Sequence, residues 1–276
     1  MDLKTLKDIP PWDWPESAGT LFLGILRDKK ADASDRLLAA ELAGDFTVIN
    51  DELADALLTI LRNNDEPEEL RGEAAIALGP ALESADIDGF EDPDYVPISR
   101  EIFHGIQESL GGLCTDTGVP KEVRRRVLEA SVRSPREWHP DAIRAAYSGD
   151  DEDWRLTAVF CMRFVGGFDE QILESLESRN QDIRYQAVLA AGNWEIDRAW
   201  SHIGGLVTSK DTDKSLLLAG IEAAASIRPQ EAAGILFELT ESDDEDIVEA
   251  AYEALAMAGG LSDEDWDEDD DDEFLH

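Results

Sequence analysis

Apolar and small residues recur along this chain at intervals of three and four, and one stretch shows the rule most plainly. In Asp182-Ile-Arg-Tyr-Gln-Ala-Val-Leu-Ala-Ala-Gly192, counted from Arg184 as zero, Ile183, Ala187, Ala190 and Ala191 fall at offsets −1, +3, +6 and +7. That spacing puts all four on one face of a helix. Asp182 is expected just ahead of the helix, where its carboxylate would accept free first-turn N–H groups, and Gly192 is expected to close it. Alanines on the buried face predict neighbours at close range.

The same offsets apply with Arg36, Arg71, Arg124, Arg155, Arg184, Leu218 and Val248 as successive zeros. The +3 column then reads Ala39, Ala74, Val127, Ala158, Ala187, Ile221 and Ala251, and the +6 column Leu42, Ala77, Ala130, Cys161, Ala190, Ala224 and Ala254. Such uniformity of size marks an internal repeat. The zeros lie 35, 53, 31, 29, 34 and 30 residues apart, so each unit has room for two helices, with one insertion.

These observations predict an all-α chain of about seven helix pairs over residues 16–260. Residues 1–15, with Trp12, Trp14 and Pro15, are expected to cap the exposed face of the first unit, in preference to forming a tryptophan-based peptide site. The first helix is predicted near Glu16–Asp28, its partner near Asp35–Ala43. A long acidic insertion, 80–97, interrupts the rhythm and is expected to be a loop. Helix Ile98–Leu110 is expected to stop at Gly111-Gly112 and to pair with Lys121–Val132. Pro140–Tyr147 pairs with Trp154–Phe164, and Phe168–Ser178 with the helix first described. Arg198–Val207 pairs with Leu216–Ile227, and Gln230–Thr240 with Ile247–Met257. Residues 261–276 form an acidic, low-complexity tail expected to lack fixed structure.

Charge changes the picture next. The chain carries 63 acidic and 24 basic residues, a net charge of −39 over 276 residues. Ten acids and no Lys or Arg fall in 261–276, leaving −29 for the rest, so the repeat body is itself acidic. A basic surface is what nucleic-acid binding needs, and this charge argues against it. Lys121, Arg124, Arg125, Arg126, Arg133, Arg136 and Arg144 make the one net-positive island. No stretch is apolar for long enough to span a bilayer, and Cys114 and Cys161 make no disulfide framework, so a cytoplasmic protein is expected.

Three segments carry a family resemblance: Leu70-Arg-Gly-Glu-Ala-Ala-Ile-Ala-Leu-Gly79, Ile183-Arg-Tyr-Gln-Ala-Val-Leu-Ala-Ala-Gly192 and Trp154-Arg-Leu-Thr-Ala-Val-Phe-Cys161. The sequence resembles the HEAT-like repeat family, in particular the short repeats of phycobilin lyases. The resemblance implies a right-handed α-α superhelix, second helices along its concave face, and protein–protein interaction more often than catalysis. The chain departs from the family where Leu218 and Val248 replace the usual arginine, so a ladder of Asp–Arg pairs should weaken after the fifth unit. The first unit also has Asp35 where an apolar residue is usual.

On a helix whose core face lies at −1, +3, +6 and +7, the opposite face holds +1, +5 and +8. Those positions in the third to fifth units carry Arg125, Glu129, Leu156, Phe160, Arg163, Tyr185 and Leu189. Large apolar side chains facing water, beside arginine, suit an interface. The candidate partner-binding set is therefore Arg125, Arg126, Leu156, Phe160, Arg163, Tyr185 and Leu189; the equal alternative is that the apolar members pack on their own partner helices. Arg71, Arg124, Arg155 and Arg184 are read as structural, with partners such as Glu69, Glu122, Asp153 and Asp182. Arg125, Arg126, Arg133 and Arg136 lie off that ladder and could clamp an acidic peptide or a phosphate, or hold the protein's own acidic segments.

Catalytic chemistry finds little support. Asp211-Thr-Asp213-Lys-Ser215 with Glu222 copies a calcium-loop spacing, but Leu216 stands where glycine is required. Asp86-Ile-Asp88-Gly89 is a better loop and has Pro97 in place of the closing glutamate. The histidines are dispersed and neither cysteine has a neighbour at zinc-ligand spacing. Cys161 sits in the small-residue column and is read as core; Cys114 is expected to be more accessible. The expectation is a non-enzymatic scaffold with no cofactor, metal or membrane association, binding a protein partner along the concave surface, with acidity favouring a basic one. Charge mimicry of nucleic acid is a narrower version, and solubility or salt adaptation is the plain explanation of the charge. A lyase-like or chaperone-like role on a modified protein is the alternative.

Overall fold

The computed structural model describes residues 2–90 and 96–259, and among these all regular structure is helical. By internal contacts the chain divides into two compact units, Met1–Ala142 and Ile143–His276. The expectations for the tail 261–276 and for part of the 80–97 insertion lie outside the described residues.

The first unit opens with a short helix the periodicity does not reveal, α1 (Leu3–Lys7), which buries Leu3 and Leu6. Then come α2 (Ala18–Arg27), α3 (Ala33–Ala43), α4 (Asp51–Arg62), α5 (Glu68–Ala77), α6 (Gly79–Asp88), α7 (Arg100–Thr115) and α8 (Lys121–Ser131). Helix α9 (His139–Ser148) carries the division between the units. Pairs α2–α3, α4–α5 and α7–α8 pack within themselves, and the second members α3, α5 and α8 pack in a row. In the second unit the order is α10 (Glu152–Cys161), α11 (Asp169–Leu176), α12 (Gln181–Asn193), α13 (Trp200–Thr208), α14 (Lys214–Ile227), α15 (Pro229–Leu239) and α16 (Glu245–Met257). Here α11–α12, α13–α14 and α15–α16 pair, and α10, α12, α14 and α16 form the row of second helices.

The repeat columns account for the core. All fourteen residues at +3 and +6 are buried, from Ala39 and Leu42 to Ala251 and Ala254. Small side chains there let adjacent second helices approach until glycine is needed: a Cβ on Gly192 would lie 2.9 Å from the Ala223 Cα, and one on Gly44 would lie 2.6 Å from the Ala77 carbonyl oxygen. Gly192 is thus a contact residue inside α12 and not its end. The helix closes two residues later, with Ile196 N–H bonding the Ala191 carbonyl and Glu195 N–H that of Gly192, and Glu195 takes the left-handed conformation at φ 48°. Its N-terminus is also shifted. Asn180 is the cap, its side chain accepting from the N–H groups of Asp182 and Ile183, while Asp182 lies in the first turn.

Two further expectations are corrected. The helix expected to stop at Gly111-Gly112 runs through both glycines to Thr115, and beyond them Leu113 and Cys114 still pack against the core. The insertion is not an open loop over its first half: α6 occupies Gly79–Asp88 and is held to the segment after α8 by Arg133–Glu83 at 2.5 Å and Ser134–Asp86 at 2.8 Å. Asp86 and Asp88 are therefore helical residues, and Asp88 accepts a bond from Ser84. No group of three potential metal-ligating side chains occurs among the described residues.

At the N-terminus, Trp14 donates its indole N–H to the Leu6 carbonyl at 2.8 Å and meets Phe22 edge-on at 5.4 Å, while Trp12 is 78% exposed. Covering the first pair falls to α1 and Trp14.

Candidate functional site

The arginines at the zero positions do structural work in an unexpected direction. Arg36 and Arg71 reach back ten residues to the last turn of the helix before: Arg36 bonds the Leu26 carbonyl at 3.2 Å and Arg71 that of Leu61 at 2.9 Å. Cationic donors there satisfy free carbonyls and meet the negative end of the helix dipole. Arg36 also forms a buried bidentate pair with Glu66, at 2.6 and 3.0 Å, and this hydrogen bond holds the Glu66 carboxyl below its usual range. Arg71 is 2% exposed and has no carboxylate within ion-pair distance among the described residues, so burial lowers its pKa. The expected Glu69 partner is not used.

The candidate partner-binding residues separate into three places. Arg125 is buried, as is Glu129, which corrects their expected exposure. Helix α8 packs against α5, α6 and α7, so its +1 and +5 offsets turn toward protein. Burial of the guanidinium is tolerated because carboxylates accompany it: Arg125 reaches Glu122 at 2.7 Å and Glu129 at 4.0 Å. Arg126, on the same helix, bonds Glu122 at 3.1 Å and Glu129 at 2.9 Å. Burial works to lower the Arg126 pKa and Glu129 and Glu122 outweigh it. With Arg133 on Glu83, much of the basic island is spent on the protein's own acids, the second of the two roles expected of it.

The second place is the end of α10. Phe160 lies 5.5 Å from Phe164, and the Arg163 guanidinium sits over both rings while its NH1 bonds Gln186. Leu156, Phe160 and Arg163 are all half-buried. Trp194 ties this corner to α12 by donating to the Met162 carbonyl at 2.7 Å.

Tyr185 and Leu189 belong to the third place, a groove of about 600 Å³ across α12, α14 and α16. Helix α14 lies between the other two and packs on both. Tyr185 and Leu189 form the α12 wall, Leu218, Ala219 and Ile221 the floor, and Ala250, Ala254 and Met257 the apolar part of the α16 wall. Four carboxylates also line it: Glu222 from α14 and Asp246, Glu249 and Glu253 from α16. Lys214 neutralises Asp246, at 2.6 Å, and Asp244, at 2.7 Å. Glu222, Glu249 and Glu253 have no cationic partner among the described residues, and no lysine or arginine among those residues lines the groove.

The offsets for these lining positions were already in the repeat. Tyr185, Ala219 and Glu249 are +1 residues, Glu222 is +4, and Leu189 and Glu253 are +5. Sequence reasoning stopped at the fifth unit and so missed the sixth and seventh. The signal available was the loss of arginine at 218 and 248, which reads as decay of the repeat. In the structure, Leu218 supplies apolar floor. Charge bridging between repeats does not end with the column arginine either. Arg198 pairs with Glu170, Arg228 with Asp197, and Lys214 with Asp244, all near the surface.

Residues 169–256, from α11 into α16, match the family model for HEAT repeats. These residues are HEAT repeats. The groove lies almost wholly inside them. No curated protein matches the sequence. Among solved structures, the E. coli protein YibA is similar at 17% identity, over 92% of this chain and 85% of that one, with a TM-score of 0.47. Human deoxyhypusine hydroxylase in complex with glycerol is similar at 17% identity over 94% and 89%, with a TM-score of 0.41. Computationally designed armadillo repeat proteins for modular peptide recognition are similar at 15% identity over 86% and 98%, with a TM-score of 0.32. At such identities no activity or ligand of these proteins transfers to this chain.

The cysteines and the buried histidine complete the inventory. Cys161 is fully buried, as its column requires. Cys114 is half-buried and burial pushes its thiol up to about 11, so it is protonated at neutral pH and a poor nucleophile. His139 is fully buried, accepts the Arg136 N–H at Nδ1 (2.7 Å), lies 3.1 Å from the Ser131 hydroxyl and stacks on Trp138; burial lowers its pKa to about 4. No described helix is long and apolar enough to cross a membrane.

Proposed function

We propose that this chain is a non-enzymatic protein-interaction scaffold of the cytoplasm whose HEAT repeats receive a basic partner in the groove of α12, α14 and α16. Helical repeats present extended faces suited to protein partners. The observation that carries the reading is the pairing of an apolar floor with carboxylates left without cations, Glu222, Glu249 and Glu253. Charges of one sign in a groove speed the encounter with an opposite partner and discourage polyanions, while the apolar floor supplies the contact that holds. The same field disfavours nucleic acid as the ligand.

A lyase-like role would draw on Cys114, whose thiol is held protonated. Replacement of Cys114 by serine is expected to leave function unchanged. The scaffold reading is tested by affinity purification with the native chain and with Leu218→Arg, which puts a cation in the groove floor. Partners should be retained at low salt, and lost both from the variant and at high salt. The same partners on the variant at high salt would remove the groove from consideration.

A further inference from the structure

The groove has two unlike walls, and their spacing specifies more than positive charge. On α16, Glu249 and Glu253 are four residues apart and project into the same groove. Four residues of helix advance about 6 Å. In an extended peptide, side chains two apart point the same way and are separated by about 6.6 Å. The residue between them points to the opposite side. Across the floor from Glu249 and Glu253 stand Tyr185 and Leu189, with the Leu218 side chain below.

We propose that the groove binds an extended segment in which lysine or arginine alternates with a large apolar residue. The cationic positions face Glu249 and Glu253 on α16, and the intervening apolar side chain rests on Tyr185 and Leu189 of α12. This rests on the scaffold reading and adds to it a sequence rule for the partner. The hollow, at about 600 Å³, is of the size that takes a small ligand or a few side chains. Glu249 and Glu253 are also like charges on one helix face, which weakens α16 until a cation lies between them.

The test uses the full chain and three labelled peptides, each flanked by glycine and serine, followed by fluorescence anisotropy. One alternates lysine and leucine over five residues, one has the same five residues in blocks, and one alternates glutamate and leucine. The alternating lysine peptide should bind about tenfold more tightly than the block peptide, and the glutamate peptide should not bind. The Glu249→Lys/Glu253→Lys double variant, altered only at exposed positions, should reverse the preference between the lysine and glutamate peptides. Tyr185→Ala should narrow the gap between alternating and block peptides and leave the salt dependence intact.

Equal binding of alternating and block peptides would overturn the rule and leave only diffuse attraction. An affinity for the lysine peptide that the double variant retains would overturn it as well. Self-association abolished by the same double variant, read by light scattering, would make a second copy the occupant and overturn it too. The scaffold reading fails separately, when Leu218→Arg keeps all partners in the purification above.

Discussion

The rows of second helices in the two units solve the same packing problem and treat charge in opposite ways. Around α3 and on α8, several acids are answered locally. Lys7 meets Glu41 at 3.2 Å, Arg126 bridges Glu122 and Glu129, and Arg36 closes on Glu66 with both side chains about 8% exposed. Glu73, between them, is raised above the usual carboxylate range by burial and by Glu41, against the pull of Arg126 and Lys7. In α12, α14 and α16 the arginine column gives out at Leu218, and carboxylates stand over an apolar floor with one lysine at the edge. Ion pairs thus reach into buried positions in the first unit, while in the second they stay near the surface and leave Glu222, Glu249 and Glu253 without a cation among the described residues.

The largest expected effect falls on the first unit. Glu66→Ala strands the Arg36 guanidinium in a buried site and should cost about 3–5 kcal/mol in equilibrium urea unfolding. A loss comparable to that of an exposed pair would show the first unit's charges to be as dispensable as the second's. Acid should act next. The folded state holds His139 neutral with its pKa near 4 against 6.5 in the unfolded chain, so the unfolded chain binds the extra proton between those values. Its contribution is complete above pH 6.5 and disappears as pH falls to 4, about 3 kcal/mol in all. Glu66, held low by Arg36, loses its contribution in the same direction as pH falls through its folded value. His139→Gln should flatten the stability profile between pH 6.5 and 4, and an unchanged profile would mean the imidazole is hydrated.

Two backbone changes probe the second unit. Gly192→Ala places a methyl against α14 and should cost about 2 kcal/mol while disturbing the groove, so unfolding midpoint and peptide affinity should fall together. Glu195→Gly relieves a left-handed residue and should stabilise by about 1 kcal/mol without altering binding. Smallest of all, Glu249→Gln should leave stability unchanged or slightly improved, because it removes like-charge repulsion on α16, and should weaken the lysine peptide. A marked loss of stability from Glu249→Gln would erase the contrast between the units.

The fold was legible to the extent that burial follows period. All fourteen +3 and +6 positions are core because a helix packed on one stripe must repeat its small residues at those offsets. Ends were less legible. Asn180 and Asp182 are both good capping residues, and which one caps is set by where α11 delivers the chain. Gly111-Gly112 looks like a stop, yet the apolar face of α7 carries through it. Helix α6 was hidden by its acids: it buries Ala81, Leu82 and Ala85, and two of those acids are held by Arg133 and Ser134, some fifty residues later. Of the candidate site, Tyr185 and Leu189 were found by their offsets. Arg125 was misplaced because α8 packs on α5 and α6 as well as on its own pair partner α7.

By itself, the sequence determined six of the helical pairs, the buried +3 and +6 columns and the excess of acid, because each follows from local spacing or from composition. Only the tertiary structure decided which acids are spent. Whether a carboxylate meets an arginine depends on neighbours thirty or fifty residues away, as Glu66 does with Arg36 and Glu83 with Arg133. Glu249 and Glu253, also on the surface of a second helix, meet none among the described residues.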